Sequence, residues 1–308
     1  MNKFSHKLYI LTEQDETYLS ELKKHSLPDL EVTTNRSDAT IVLASPPIIA
    51  KQLQDFPRIE WIQSAYAGID ALIIPTLRQD YLLTNVKGIF GQQISEYVLG
   101  YTISHFRHFD TYKQQQKNRA WTPHSYTSLQ GKIMVVLGTG SIGSYLARTA
   151  QALGIKVYGI NRTGIPSKDS PFTDVYHTQE LSTAFKSADI VVNTLPATSE
   201  TDQIINKESL NDCNNVLLFN VGRGNAVNED DLLNALANGN VTHAFLDVFI
   251  DEPLRPAHPF WLNEKITITP HIAASSFPYQ VVEQFKDNYL RWRDGFELHN
   301  LVDFNRGY

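Results

Sequence analysis

Apolar residues along this chain alternate between short unbroken runs and stretches in which they recur at helical spacing. Unbroken aliphatic and β-branched runs mark strands buried on both faces, as in a parallel sheet. Runs at 7–11, 40–44, 60–63 and 82–85 occupy the first part of the chain. Between the first two, residues 15–24 set Tyr18, Leu19 and Leu22 on one helical face, and Pro46-Pro47 stop the second run. Residues 95–117 read as one long helix. Its Tyr97, Val98, Tyr101, Ile103 and Phe106 make it apolar on more than one side, so another domain or another subunit must cover it. Six further runs follow, at 133–137, 156–160, 189–193, 216–220, 242–247 and 265–269. A last helix spans 279–297 and is expected to bring the chain back to its first unit. The pattern predicts an α/β protein of two doubly wound parallel-sheet domains, 1–98 with 277–308, and 99–276.

The run at 133–137 leads into Gly138, Gly140 and Gly143 at G-x-G-x-x-G spacing, and then into a helical segment. Strand before and helix after are the context in which this spacing carries meaning. The first glycine permits a tight turn, the second lets the backbone approach a pyrophosphate, and the third lets the helix pack close to the strand. With Ser141 and Ile142, the helix start offers free N–H groups and a positive dipole end to phosphates. A Rossmann dinucleotide-binding domain is the reading.

The second strand of such a domain usually ends in an acid that binds the ribose 2′-OH. Here Ile160 is followed by Asn161-Arg162-Thr163 instead. An acid would repel a 2′-phosphate, whereas Asn161 and Thr163 can hydrogen-bond it and Arg162 can pair with it. The cofactor expected is NADP, with NAD possible.

Net charge of −6 argues against non-specific binding to nucleic acid or a membrane surface. The single cysteine, Cys213, excludes an intrachain disulfide and suits a reducing compartment. The apolar run near the N-terminus is too short for a signal-peptide core or a membrane span, so a cytoplasmic location is expected. His105 and His108 lie three apart on the long helix, but no third ligand is evident, and no metal is expected.

Ligands of doubly wound sheets sit at the carboxyl ends of the strands. Arg223 in NVGRG, Glu252 in DVFIDEP and His271 in TPHIAAS follow three successive strands there. With WIQSAYAGIDAL, GIFGQQISEYVLGY, NTLPAT, HPFW and the closing VDFNRGY, these motifs span nearly the whole chain. Their order resembles the D-isomer-specific 2-hydroxyacid dehydrogenases, and most of all the glyoxylate/hydroxypyruvate reductase branch.

That resemblance implies a flavodoxin-like substrate domain beside the Rossmann domain, a homodimer through the long helix, and reduction of a small 2-oxoacid to a D-2-hydroxyacid. It implies His271 as general acid, Glu252 as its partner and Arg223 as the group that holds the substrate carboxylate. Tyr66, Ala67 and Gly68 would add backbone N–H donors to that carboxylate. Thr194, Leu195, Pro196, Val221 and Gly222 would border the cofactor, and Asp247 would meet the nicotinamide amide. Physical chemistry agrees for the trio: a neighbouring carboxylate raises a histidine pKa, and a proton donor near working pH suits carbonyl reduction. The rival reading is a dinucleotide-sensing binding protein of the same fold without significant turnover. A phosphoglycerate or formate dehydrogenase is a further alternative within the family. Which 2-oxoacid is reduced does not follow from the sequence.

Overall fold

The computed structural model describes residues 5–304. The chain divides into two compact units, one running to Ile89 and resuming at Ser276, the other Phe90–Ser275. In the first lie β1 (His6–Leu11), α1 (Asp15–Leu22), β2 (Leu30–Val32), β3 (Ile41–Ala44), α2 (Pro46–Ile49), β4 (Trp61–Ser64) and β5 (Leu82–Thr84). Its sheet is parallel in the order β2-β1-β3-β4-β5, the flavodoxin-like arrangement.

The second unit contains α3 (Gly91–Phe106), α4 (Phe109–Lys117), β6 (Ile133–Leu137), α5 (Ser141–Ala152), β7 (Lys156–Asn161), β8 (Asp174–His177), α6 (Leu181–Lys186) and β9 (Ile190–Asn193). It continues with α7 (Lys207–Leu210), β10 (Val216–Asn220), α8 (Glu229–Asn238), β11 (Val241–Leu246) and β12 (Ile266–Ile268). The sheet order is β12-β11-β10-β9-β6-β7-β8, all parallel, a Rossmann sheet with a seventh strand. On β6, Val135 and Leu137 enter one apolar cluster while Met134 and Val136 enter another. Burial on both faces is why this strand reads as a continuous apolar run.

Register places the site. Leu137 pairs with Asn193, Asn193 with Asn220, Asn220 with Leu246, and Leu246 with Ile268. The next residue on each of these five strands therefore emerges along one carboxyl edge: Gly138, Thr194, Val221, Asp247 and Thr269. Strand order reverses between β6 and β9, the switch point at which such sheets bind ligands.

The first unit closes with α9 (Pro278–Arg293), which starts with Pro278 in its first turn and ends on Arg291 and Arg293, suiting the helix dipole. Phe285 of α9 stacks on Trp61 at 5.3 Å, and Val302 N–H donates to the Leu83 carbonyl at 2.8 Å. Residues 305–308 of the closing motif lie outside the described residues.

Three expectations are corrected. Residues 95–117 are not one helix: the chain breaks at His108, which is left-handed (φ 57°), and α3 begins earlier, at Gly91. His105 and His108 therefore do not share a helix. The second sheet has seven strands rather than six, and the first has five rather than four; β8 and β2 are the additions.

Candidate functional site

Two of the three glycines after β6 are forced by close approach. Gly138 has φ 101°, and a Cβ there would lie 2.6 Å from Thr194 Oγ1. A Cβ on Gly143 would lie 2.0 Å from the Gly138 carbonyl oxygen, so only glycine lets α5 sit against the turn. At Gly140 a Cβ would meet nothing within 4 Å. Gly140 is also the N-cap of α5, and no side chain caps the helix there. Ser141, Ile142 and Gly143 thus begin a helix whose first N–H groups lack an intrahelical acceptor, which fits a pyrophosphate.

Beyond β7, Asn161 organises the loop from within. Its Oδ1 accepts from Thr163 N (3.0 Å), Thr163 Oγ1 (3.1 Å) and Gly164 N (2.8 Å). Its Nδ2 donates to Thr139 Oγ1 (3.1 Å) and the Ile165 carbonyl (3.0 Å). The amide expected to greet a 2′-phosphate is committed to shaping the turn that displays Arg162 and Thr163, both exposed.

A buried pair missed by sequence reasoning orders the next two strand ends. Asn193 Nδ2 donates to Asn220 Oδ1 at 2.9 Å. Asn193 Oδ1 accepts from Leu195 N (3.1 Å), and Asn220 Nδ2 donates to the Arg223 carbonyl (3.0 Å). Thr194 Oγ1 donates to the Leu137 carbonyl (2.8 Å), and the Pro196 carbonyl accepts from Thr201 Oγ1 (2.7 Å). The signal was a polar residue closing an otherwise apolar run, in IVVN and VLLFN. After Val221 the backbone is pressed tight. A Cβ on Gly222 would sit 2.7 Å from the Leu195 carbonyl oxygen, and one on Gly224 2.0 Å from the Phe249 carbonyl carbon. Arg223, between them, donates from Nη1 to the Gly222 carbonyl at 2.8 Å.

Glu252 faces two ways. Oε1 accepts from Phe249 N at 2.9 Å, and Oε2 lies 2.8 Å from His271 Nδ1. Burial works to raise the Glu252 pKa, but the bonds from His271 and Phe249 and the charges of His271 and Arg223 outweigh it and hold it below the usual range. The bond to Glu252 raises the His271 pKa; burial and Arg223 oppose this, while the Glu252 and Asp247 charges assist it. Both side chains remain partly exposed. His271 sits at φ 54°, a conformation few histidines adopt.

Asp247 is buried, and its carboxylate is turned to the His271 loop. Oδ1 accepts from Thr269 Oγ1 (2.6 Å) and Ile272 N (2.8 Å), and Oδ2 from Ala273 N (2.9 Å). Arg223, Glu252, His271 and Asp247 are thus brought to one edge of one unit. Tyr66, Ala67 and Gly68 follow β4 in the other unit. There the Tyr66 N–H donates to Ser64 Oγ at 3.0 Å and is not a donor for a ligand, and the Ala67 carbonyl accepts from Asn85 Nδ2 at 2.8 Å.

Among the described residues no group of three or more His, Cys, Asp or Glu side chains is arranged to hold a metal ion. No described helix is long and apolar enough to cross a membrane. Burial pushes the Cys213 thiol up to about 12, which makes it a poor nucleophile.

Residues 99–273 match the family described as "D-isomer specific 2-hydroxyacid dehydrogenase, NAD binding domain". The chain is 32% identical over 259 residues to glyoxylate/hydroxypyruvate reductase A of Serratia proteamaculans (strain 568), covering 82% of each. A D-isomer specific 2-hydroxyacid dehydrogenase family protein from Aeromonas salmonicida subsp. salmonicida A449 superposes with TM-score 0.93 and 40% identity, over 97% of this chain and 99% of that one. A D-isomer specific 2-hydroxyacid dehydrogenase from Xanthobacter autotrophicus Py2, solved with NADPH and MES, gives 0.88 and 28%, over 99% and 100%.

Proposed function

The chain belongs to the D-isomer specific 2-hydroxyacid dehydrogenases, a family of NAD(P)-dependent enzymes, and from that premise we propose that it is an NADPH-preferring reductase of small 2-oxoacids, of the glyoxylate or hydroxypyruvate kind, yielding D-2-hydroxyacids. The observation that carries this reading is the His271–Glu252 pair, set in the field of Arg223 at the carboxyl edge of the second sheet. A hydride for C2 of the oxoacid is the chemistry that NADPH supplies when bound. The turn from Gly138 to Gly143 would hold its pyrophosphate and Arg162 its 2′-phosphate, with Thr194, Leu195, Pro196, Val221 and Gly222 bordering it, while the Thr163 N–H and hydroxyl are both spent on Asn161. Arg223 holds the substrate carboxylate and polarises the ketone. Protonated His271, steadied through Nδ1 by Glu252, delivers the proton from Nε2 to the ketone oxygen. Self-association and a cytoplasmic setting belong to the same reading. They rest on the family and on composition, because two of the apolar residues on α3, Tyr97 and Tyr101, pack within the unit, with Tyr101 against Phe245.

NADPH oxidation against a panel of 2-oxoacids, repeated with NADH, tests the proposal. Turnover of small acids with NADPH supports it; tight cofactor binding without turnover of any acid supports the sensor reading instead. Arg162→Ala is expected to weaken NADPH binding about tenfold, near the low end for a charge-assisted bond because Arg162 is exposed. NADH binding, titrated by fluorescence, is expected to be unaffected. Equal change for both cofactors sinks the 2′-phosphate assignment.

The pH dependence has a worked sign. Reduction uses protonated His271, so it falls as pH rises through the His271 pKa, which Glu252 raises above the ordinary histidine value of about 6.5. Glu252→Gln removes the charge and is expected to move this falling limb to lower pH. The rate of the chemical step at saturating NADPH, followed across about pH 5 to 9, measures it. An unmoved limb contradicts the pairing.

A further inference from the structure

His271 keeps its left-handed backbone only while its surroundings impose it. The residues imposing it form one connected set. Asp247 holds the loop from below: besides the side-chain bonds to Ile272 and Ala273, its own carbonyl accepts from the His271 N–H at 2.9 Å. At the start of the loop, the Tyr97 hydroxyl lies 2.7 Å from Thr269 Oγ1, which donates its single hydrogen to Asp247 Oδ1 at 2.6 Å. Tyr97 must therefore be the donor to Thr269. Burial pushes the Tyr97 phenol above its ordinary range, so it keeps that proton. At the end of the loop, Gln93 Oε1 accepts from Ser275 N (2.8 Å) and Gln93 Nε2 donates to the Ser275 carbonyl (2.9 Å). Gln93 and Tyr97 are four residues apart on α3, on one face of the helix. Tyr101 packs edge-on against the Tyr97 ring at 4.9 Å, which fixes the phenol's direction.

We infer that α3 is the frame that sets the general acid: Tyr97, acting through Thr269 and Asp247, and Gln93, acting through Ser275, are positioning residues for His271. This rests on the reading of His271 as the acid. It assigns to Asp247 and Thr269 a mechanical task in addition to any contact with cofactor, and gives Tyr97 and Gln93 a part in turnover although neither carries the reacting proton.

Tyr97→Phe, Thr269→Val and the double variant test it, with Thr269→Ser and His271→Asn alongside. Turnover number, KM for the oxoacid, NADPH affinity, melting temperature and pH profile are measured for each. Tyr97→Phe is expected to lower kcat about fivefold and Thr269→Val about tenfold, the loss of one and two hydrogen bonds of ordinary strength. The double variant should be no worse than Thr269→Val, because both break the same chain. Thr269→Ser should restore kcat. NADPH affinity and the pH limb should stay in place, since the glycine turn and the Glu252–His271 pair are untouched. Where Thr269→Val does not fold, Tyr97→Phe and Thr269→Ser carry the comparison. Wild-type kcat in Tyr97→Phe, multiplicative losses in the double variant, or a kcat loss matched by lost NADPH affinity overturns the inference. His271→Asn separates the two levels. If it is inactive while Tyr97→Phe and Thr269→Val turn over normally, the positioning role alone fails; if it is fully active, the general-acid reading itself fails.

Discussion

Replacing His271 by asparagine is expected to lower 2-oxoacid reduction by ~10²–10⁴-fold, the usual contribution of a positioned general acid. On the barrier this is about 3–5 kcal/mol. Asparagine is chosen because the residue sits at φ 54°, where asparagine is among the least strained of non-glycine residues. Alanine would mix a backbone effect into a chemical one. The asparagine amide can still donate hydrogen bonds but carries no proton acidic enough to transfer. Since the cofactor-binding turn at Gly138 to Gly143 leaves from a different strand, NADPH affinity should be nearly unchanged, so the loss falls in kcat. Stopped-flow oxidation of NADPH at saturating oxoacid checks it. A variant within threefold of the parent, with the fold intact by circular dichroism, would remove His271 from the mechanism.

The strands that matter most were legible because burial on both faces demands uninterrupted apolar sequence, as in Ile133–Leu137. β8 and β2 escaped for the same physical reason in reverse. Each lies at an edge of its sheet, and DVYH and LEV are too short and too polar to read as buried runs. The break at His108 escaped because neither proline nor glycine marks it. Among site residues, glycines and charged residues at strand ends were visible by spacing. The supporting layer was not: Asn193 meets Asn220, and Tyr97 meets Thr269, across 27 and 172 positions of sequence. The first pair follows from strand register and the second from the packing of α3 beside β12, neither of which the apolar pattern alone fixes. Asn161 illustrates the limit from the other side. Its position just past the apolar run at 156–160 is legible, yet its amide serves the loop around it.

Loss of the Arg223 side chain is expected to lower kcat/KM for the oxoacid by about 10²–10³-fold, in line with the 2–5 kcal/mol that truncating one member of a hydrogen-bonded charge pair costs. The loop leaves no room to compensate. Gly224 is against the Phe249 backbone, Gly222 is against Leu195, and Nη1 is held by the Gly222 carbonyl, so a neighbouring side chain cannot be brought in by a modest shift. Arg223→Lys keeps the charge but loses the planar fork, and a loss of about tenfold is expected from it. Two effects of Arg223 can then be separated by pH. Its positive charge opposes protonation of His271. Arg223→Ala should therefore move the falling limb of reduction to higher pH even as the rate drops, the reverse of Glu252→Gln, whereas Arg223→Lys should leave the limb in place. The last comparison decides whether Arg223 acts on substrate alone or also tunes the acid. Equal kcat/KM in Arg223→Lys and the parent argues against carboxylate recognition by the guanidinium. A limb that moves the same way in Arg223→Ala and Glu252→Gln argues against His271 as the group that titrates. Opposite movements would tie the three side chains into one electrostatic unit, with Glu252 raising and Arg223 restraining the pKa of the proton donor between them.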